Sequence, residues 1–204
     1  VGTTSVKVIL VSSEGIVDEA TAYHDLLSPY PNWAEEDADI WWNNIKKAVS
    51  EITAKHRDKA NNIAAIGCSG MVPAIVLLDR SGAPIRNTIQ QNDARAIAQI
   101  EKIKNTIDQE MLFQRTGGTT NQQHILPRLL WVKENESAAW EKIDKIMGSY
   151  DYAVYKLTGV PSLEINWAVE SGSYDINTNQ WIREDLDLIG IDPNWLPPVN
   201  ESMK

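Results

Sequence analysis

The residues best suited to chemistry stand at the start of the sequence, in the stretch VGTTSVK. Gly2, Thr3, Thr4 and Ser5 combine a glycine with three hydroxyl side chains, which is typical of turns whose backbone N–H groups approach an anion closely. Lys7 stands on the strand predicted to follow and adds a positive charge. We interpret these five residues as a candidate phosphate-binding site. The alternative from the local sequence is an ordinary strand turn capped by hydroxyls.

A second candidate is the stretch CSGMVPA, which lies at the end of the apolar run NNIAAIGCSG, residues 61–70. Small and β-branched residues in that run predict a buried strand, with Cys68 as a small core residue. Open α/β sheets bind ligands where their strands end, so Met71, Val72 and Pro73 are candidate ligand contacts. The alternative is that Met71 and Val72 simply belong to the core.

The elements that would position these residues are strands followed by helices. Residues 6–11 and 16–27 predict two strands joined by a tight turn, and Asp-Arg-Ser-Gly at 79–82 predicts a hairpin. Residues 145–147 predict a further strand. Two helices are predicted from the 3.6-residue period. The first presents Ile40, Trp41, Ile45, Ala48, Val49 and Ile52 inward, and the second, which begins at Asp93, presents Ala94, Ala96, Ile97, Ile100 and Ile103.

Composition limits the function classes. A chain of 204 residues with 43% hydrophobic residues suits one globular domain. The net charge of −9 argues against nucleic acid or an anionic membrane as the main partner. The single cysteine excludes an internal disulfide framework and a Cys-rich metal site, and no metal ligand is predicted within the chain. Without a membrane-length apolar run or a leader, we expect a cytoplasmic location.

Taken in order, several stretches resemble the amino-terminal half of carbohydrate kinases of the FGGY family. They are VGTTSVK, PNWAEEDADIWW, IAAIGCSGMVPAIVLLD, NDARA, LPRLLWVKENE, YDYAVYKLTG, YDINTNQW and IGIDPNWLPPV. The ordered set is specific because chance would have to reproduce both the residues and the gaps. The resemblance implies an α/β fold of the ribonuclease-H-like type, as in actin and hexokinase, with a mixed sheet flanked by helices.

The resemblance also implies how the chemistry is divided along the protein. The turn at Gly2 would receive the phosphates of ATP, with Mg²⁺ as the metal of the complete protein. The family aspartate that helps hold Mg²⁺ would precede Val1, and the general base would follow Lys204. We therefore expect residues 1–204 to be an amino-terminal domain that is incomplete at both ends and lacks the second, nucleotide-binding domain. It would hold no catalytic residue and would be inactive alone.

For the sugar, the resemblance points to two stretches that depart from the family pattern. Xylulokinase-like members read SGQMHG where this chain reads SGMVPA, which includes Met71, Val72 and Pro73. Pro73 stands in place of the histidine and lacks both a side-chain donor and a backbone N–H. This change weakens an assignment to xylulose in particular.

The second stretch is the family's Trp-x-Asp-x-Arg, which shapes the substrate pocket. This chain keeps Asn92, Asp93 and Arg95 but has Gln91 in place of the tryptophan. We therefore expect the substrate to present a polar group to Gln91. An alternative role for Asp93 is to cap the helix that it begins.

Three functions remain open at this point. The leading hypothesis is the substrate-binding domain of an ATP-dependent kinase that phosphorylates a hydroxyl of a small sugar, most readily a xylulose-like pentulose. The alternatives are a kinase for another polyol or sugar acid, of the gluconate, ribulose or erythritol type, and a non-catalytic actin-like binding module. The predicted partners are the sugar and ATP, and a homodimer of the full-length protein is a candidate assembly.

Overall fold

The computed structural model of the chain describes residues 1–202, so the position predicted for the general base, after Lys204, lies outside the described residues. The elements alternate along the chain, mostly as short strands and helices. In chain order they are β1 (Ser5–Ser12), β2 (Gly15–Tyr23), β3 (Glu35–Glu36), α1 (Ala38–Lys55), α2 (Arg57–Ala60), β4 (Val76–Leu78), β5 (Thr88–Ile89), α3 (Ile97–Lys104), α4 (Gln109–Thr116), α5 (Ile125–Asn135), α6 (Ser137–Trp140), β6 (Lys145–Met147), α7 (Ser149–Thr158), β7 (Leu163–Glu164), α8 (Ile165–Glu170), β8 (Tyr174–Asp175), β9 (Gln180–Trp181), α9 (Arg183–Ile189), a 3₁₀ turn (Pro193–Trp195) and β10 (Val199–Asn200).

The first layer is the antiparallel hairpin β1–β2 packed against α1. Ser5 lies opposite Tyr23 and Ser12 opposite Gly15, as the predicted pair of strands requires. Because side chains alternate along a strand, one face packs its buried residues on α1 and the other leaves Lys7 exposed. α1 buries Ala38, Trp41, Ala48 and Ile52, whereas Ile40 and Val49, which were predicted to face inward, are 43% and 38% exposed.

The second layer is built on β4. It pairs antiparallel with β6, with Val76 opposite Met147, and the neighbouring Ile75 forms a bridge to Ile89 in β5. The strand predicted at 145–147 is therefore confirmed, as is the hairpin turn at 79–82. The whole of β4 is buried and forms one core with residues of α5, α7 and α9. The remaining pairs are β3 with β5, β7 with β10 in parallel, and β8 with β9.

The strand predicted over residues 61–70 was wrong. The segment has no regular structure and is largely exposed, with Ile66 at 68% and Ile63 at 44%. A strand is stable only when its backbone groups are paired. Within the described part of the chain, residues 64–70 share a single backbone hydrogen bond with another segment, from Val1 N to Ser69 O at 2.7 Å. Cys68, predicted to be a core residue, is half-buried.

A helix follows Asp93, but its predicted start at that residue was wrong. α3 begins at Ile97, and its N-cap residue Ala96 makes no side-chain capping bond. The carboxylate of Asp93 is instead committed to other partners, described below, so it cannot cap the helix. With this later start, Ile97 is 59% exposed and Gln99 takes an inward position.

Candidate functional site

The phosphate turn, defined as Gly2–Ser5, precedes β1 and is fixed at both of its ends. Gly2 N donates to Ser5 O at 2.9 Å, and His24 N donates to Thr4 O at 3.0 Å. The amides and hydroxyls of Thr3 and Thr4 make no hydrogen bond within residues 1–202. Thr3 is half-buried and Thr4 is exposed. The turn therefore presents unpaired donors at the surface, which is what an anion requires.

Lys7 stands apart from these donors. It lies on the outward face of the hairpin, where its Nζ is 3.4 Å from the carboxylate of Glu19, and both side chains are 55% exposed. The structure thus brings together four of the five residues predicted for phosphate, Gly2, Thr3, Thr4 and Ser5. The fifth, Lys7, is paired with an acid instead.

The sugar loop, defined as residues 69–73, lies directly beside the phosphate turn. Val1 N donates to Ser69 O at 2.7 Å, and a Cβ on Gly70 would lie 3.3 Å from Val1 O and 2.5 Å from Ser149 Oγ. Ser149, the first residue of α7, donates its hydroxyl to Met71 O at 2.8 Å. A side chain at Gly70 would collide with Ser149 of α7 and crowd the backbone of Val1. The two candidate stretches are therefore held together by the fold.

The second predicted sugar stretch runs alongside the loop. Ile75 and Ile89 exchange both backbone hydrogen bonds, at 3.1 and 3.3 Å, in antiparallel pairing. Because the pairing is antiparallel, residues 71–73, which precede Ile75, and residues 91–93, which follow Ile89, lie beyond the same end of it, where both segments turn. The Val72–Pro73 peptide is cis, and Pro73 is buried. The side chains that reach the surface, half-buried or exposed, are those of Met71, Val72, Gln91 and Asn92.

Asp93 and Arg95, also predicted to contact the sugar, lie inside the protein. Asp93 is fully buried and accepts from Ala34 N at 2.6 Å and from Arg95 Nη2 at 2.7 Å. The side chain of Arg95 is 0% exposed, and its Nη1 is 2.7 Å from Glu35 Oε1. Its guanidinium also stacks on Trp33, 3.7 Å from the ring centre. These bonds anchor the end of the 91–95 stretch to β3, so the two residues support the site from behind.

Glu36 lies on the other face of β3, next to the phosphate turn, and its role was missed in the sequence. It is 0% exposed, and its Oε2 accepts from Trp41 Nε1 at 2.6 Å and lies 3.1 Å from His24 Nε2. The same His24 nitrogen is 3.0 Å from Gly2 O. Burial raises the pKa of Glu36 to about 7 and lowers that of His24. The sequence holds no clear signal for this role, since the two-residue strand β3 is too short to show a periodic pattern.

A second acidic group flanks the sugar loop. Asp151 accepts from Gly148 N at 3.1 Å and from Glu164 N at 2.8 Å, and burial raises its pKa to about 7. Tyr150 donates its hydroxyl to Glu164 Oε2 at 3.0 Å. Because Ser149 of the same helix, α7, bonds the sugar loop, Tyr150 and Asp151 lie behind that loop. On the inner side, the buried Trp167 donates its indole N–H to Ala74 O at 3.0 Å.

Two further findings concern the described residues. Within residues 1–202, no group of three or more His, Cys, Asp or Glu side chains could hold a metal ion. The same residues contain no helix with the length and apolar character that crossing a membrane demands.

Comparison with solved structures identifies the class of fold. The chain superposes with a TM-score of 0.91 on xylulose kinase from Rhodospirillum rubrum, which is 35% identical and is covered over 98% of this chain and 42% of that chain. This likeness confirms the predicted actin- and hexokinase-like α/β fold. The chain belongs to the FGGY family of carbohydrate kinases, since the family model for the N-terminal domain matches residues 1–204.

Curated relatives agree with this family. Xylulose kinase of Staphylococcus xylosus is 30% identical over 200 residues, which are 98% of this chain and 41% of the relative. Glycerol kinase of Thermococcus onnurineus is 27% identical over 206 residues, which are 98% of this chain and 42% of that relative. The chain thus spans about two fifths of the length of the curated relatives it matches.

Proposed function

We propose that this chain is the amino-terminal, substrate-binding domain of an ATP-dependent carbohydrate kinase. The kinase transfers the γ-phosphate of ATP to a hydroxyl of a small sugar, with a xylulose-like pentulose as the leading acceptor. The observation that carries the proposal is that Val1, the residue directly before the phosphate turn, contacts the sugar loop, 2.7 Å from Val1 N to Ser69 O. A phosphoryl donor and a hydroxyl acceptor must meet at such a junction.

Each part of this junction has a separate task. The unpaired amides and hydroxyls of Thr3 and Thr4 bind phosphate oxygens, and Mg²⁺ accompanies ATP as the metal that neutralises phosphate charge. Gln91 and the sugar loop hold the acceptor. The acceptor oxygen forms the new bond to the γ-phosphorus as the bond to ADP breaks, and the hydroxyl proton passes to a general base. We place that base after Lys204, so the chain positions substrates but does not complete the reaction.

We also propose that the chain is one domain of a longer protein, with a strand before Val1 and a second, nucleotide-binding domain after Lys204. Exposed Ile63 and Ile66 support the strand, because a partner in that place would pair with residues 62–69 and continue from the Val1–Ser69 hydrogen bond. The greater length of the curated relatives supports the second domain. A cytoplasmic location and a homodimer of the complete protein complete this proposal.

The second candidate substrate is another polyol or sugar acid. Gln91 favours it, since a half-buried amide offers both a donor and an acceptor where the resemblance implies an apolar tryptophan. Pro73 favours it too, because it is buried and has no hydrogen-bond donor to offer a sugar. The similarity to a glycerol kinase is compatible with such a change.

The test is an ADP-release assay on the complete polypeptide, with MgATP and a panel of xylulose, ribulose, erythritol, glycerol and gluconate. We expect ADP release that depends on one of these compounds. The variant Gln91→Trp should shift preference within the panel, whereas Gln114→Trp on the exposed face of α4 serves as the matched control and should not. A wild-type protein that releases no ADP with any acceptor would support the non-catalytic binding module instead.

A further inference from the structure

The ring of His24 is held from three sides, and these contacts determine its protonation. The amide nitrogen of Asn44 lies 3.2 Å from Tyr23 O and 3.3 Å from His24 Nδ1. Since a backbone carbonyl accepts only from a donor, this nitrogen faces the ring and donates to Nδ1. Nδ1 is therefore unprotonated, and the ring proton is on Nε2. Burial, which lowers the pKa of His24, favours the same neutral form.

The single Nε2 proton faces two acceptors. Gly2 O lies at 3.0 Å and Glu36 Oε2 at 3.1 Å, so the two oxygens compete for one donor. Glu36 already accepts from Trp41 at 2.6 Å, and its Oε1 is buried without a hydrogen-bond partner among the described residues. A buried carboxylate oxygen without a partner is costly, so this group binds a proton more readily than an exposed glutamate does.

We propose that His24 and Glu36 are positioning residues for the phosphate turn, with His24 holding the Gly2 carbonyl and the protonation of Glu36 setting how firmly it does so. When Glu36 is neutral, the ring proton is free to bind Gly2 O. When Glu36 is ionised, its carboxylate is the stronger acceptor and draws that proton away. The inference rests on the proposed function in one respect, that the phosphate turn binds a nucleotide.

Few other charged groups face this pair. Asp25 follows His24, and the α-amino group of Val1 lies near both members of the pair. The segment beside Val1 contributes the Cys68 thiol. The other polar contacts do not titrate in this range: the Trp41 indole and the Asn44 amide come from α1, and the Thr88 hydroxyl of β5 donates to Glu36 O. In the longer protein proposed above, Val1 N is a neutral peptide amide, which leaves Glu36 as the group expected to titrate near neutral pH.

The test compares His24→Leu, His24→Gln and Glu36→Gln in the complete polypeptide. Two kinds of measurement are made from pH 6 to 8. The first is the affinity for a non-hydrolysable ATP analogue with Mg²⁺ in the absence of sugar. The second is steady-state kinetics, which gives kcat and the KM for each substrate. His24→Leu should weaken nucleotide binding roughly 3- to 10-fold, the range that one lost backbone hydrogen bond accounts for. The sugar KM should change less than the nucleotide affinity, because the lost bond lies on the phosphate turn and not on the sugar loop.

His24→Gln places an amide donor near the position of Nε2 and should restore most of the affinity. Glu36→Gln should remove the loss of nucleotide affinity that wild type shows as the pH rises. The titration of the nucleotide itself is common to both proteins, so their difference isolates Glu36. The matched control is His56→Leu, because His56 Nε2 makes a similar contact to a carboxylate, 3.0 Å from Asp18 Oδ2, away from the phosphate turn. It should bind nucleotide as wild type does.

Two results would overturn the proposal. One is wild-type nucleotide affinity in a folded His24→Leu protein, and the other is an unchanged pH profile in Glu36→Gln. If His24→Leu does not fold, the comparison of His24→Gln and Glu36→Gln with wild type decides by the pH profile. If wild type phosphorylates no sugar, the proposed function fails, and the analogue affinities still decide the role of the pair.

Discussion

Glu35 and Glu36 are consecutive residues of β3, yet their buried carboxylates lie on opposite faces of the strand and have different partners. Glu35 Oε1 lies 2.6 Å from Arg86 Nη2 and 2.7 Å from Arg95 Nη1. Glu36 has no lysine or arginine partner within residues 1–202, and it meets the N–H groups of Trp41 and His24. Burial therefore has a different consequence for each carboxylate, because the cost of burying a charge depends on the groups that compensate it.

The two faces also serve different parts of the site. On the Glu35 face, Arg95 is held by two carboxylates and by the Trp33 and Trp131 rings, at 3.7 and 4.9 Å, which fixes the stretch that leads from Gln91. On the Glu36 face, a carboxyl with a raised pKa adjoins the phosphate turn. We infer that the first face supplies rigidity to the sugar side, and the second supplies a group that responds to pH on the nucleotide side.

The largest expected effect is on the Glu35 face. Arg95→Met should lower the free energy of unfolding by about 3–5 kcal/mol, because it leaves the buried carboxylate of Asp93 without the guanidinium that hydrogen-bonds it. Urea denaturation measures this loss. The matched control is Lys102→Met, which removes a cation that is 57% exposed and paired with Glu134, and which should cost about 0–1 kcal/mol. Equal losses in the two variants would refute the distinction.

The next effect is the pH dependence of stability on the Glu36 face. The pKa of Glu36 is about 7 in the folded protein against an ordinary value of 4.5, so folding favours its protonated form. Its contribution to stability is greatest below pH 4.5 and is lost as the pH rises to about 7. Relative to wild type, Glu36→Gln should therefore gain about 1–3 kcal/mol between pH 5 and pH 7.5.

Denaturation of both proteins at the two pH values checks this gain. Asp151 and Asp185 also have raised pKa values, of about 7 and about 6, but they titrate alike in both proteins and cancel in the comparison. Glu51→Gln, at an exposed position of α1, provides a control that should show no such gain. If the difference in stability between Glu36→Gln and wild type is the same at both pH values, Glu36 does not titrate in this range.

The sequence predicted much of the frame and of the phosphate turn, because both depend on local patterns. The β1–β2 hairpin, α1 and the turn at 79–82 follow from alternation, helical period and turn residues. The start of α3 was wrong because Asp93 binds Ala34 N and Arg95, a contact that no local rule reveals. The strand predicted over residues 61–70 was wrong because an apolar composition does not show whether a neighbouring strand exists.

The pair at the phosphate turn could not have been predicted for a related reason. His24 is separated from Gly2 by 22 positions and from Glu36 by 12. Isolated in the sequence, each is an ordinary polar residue. Only the packing of β2, β3 and the phosphate turn around one ring creates the competition for its proton. The faces of a two-residue strand such as β3 are likewise set by its neighbours and not by a periodic pattern.

The smallest expected effect concerns Lys7, the exposed counterpart of these buried charges. Its ion pair with Glu19 spans 3.4 Å with both side chains 55% exposed, so Lys7→Met should change the free energy of unfolding by no more than about 0.5 kcal/mol. Its effect on nucleotide binding is a separate question. If Lys7 assists the phosphate turn, as the sequence predicts, Lys7→Met weakens binding and Glu19→Gln, which frees the lysine, strengthens it. If neither variant changes the affinity in a titration at low ionic strength, the charge near the turn is set by the Glu36 face alone.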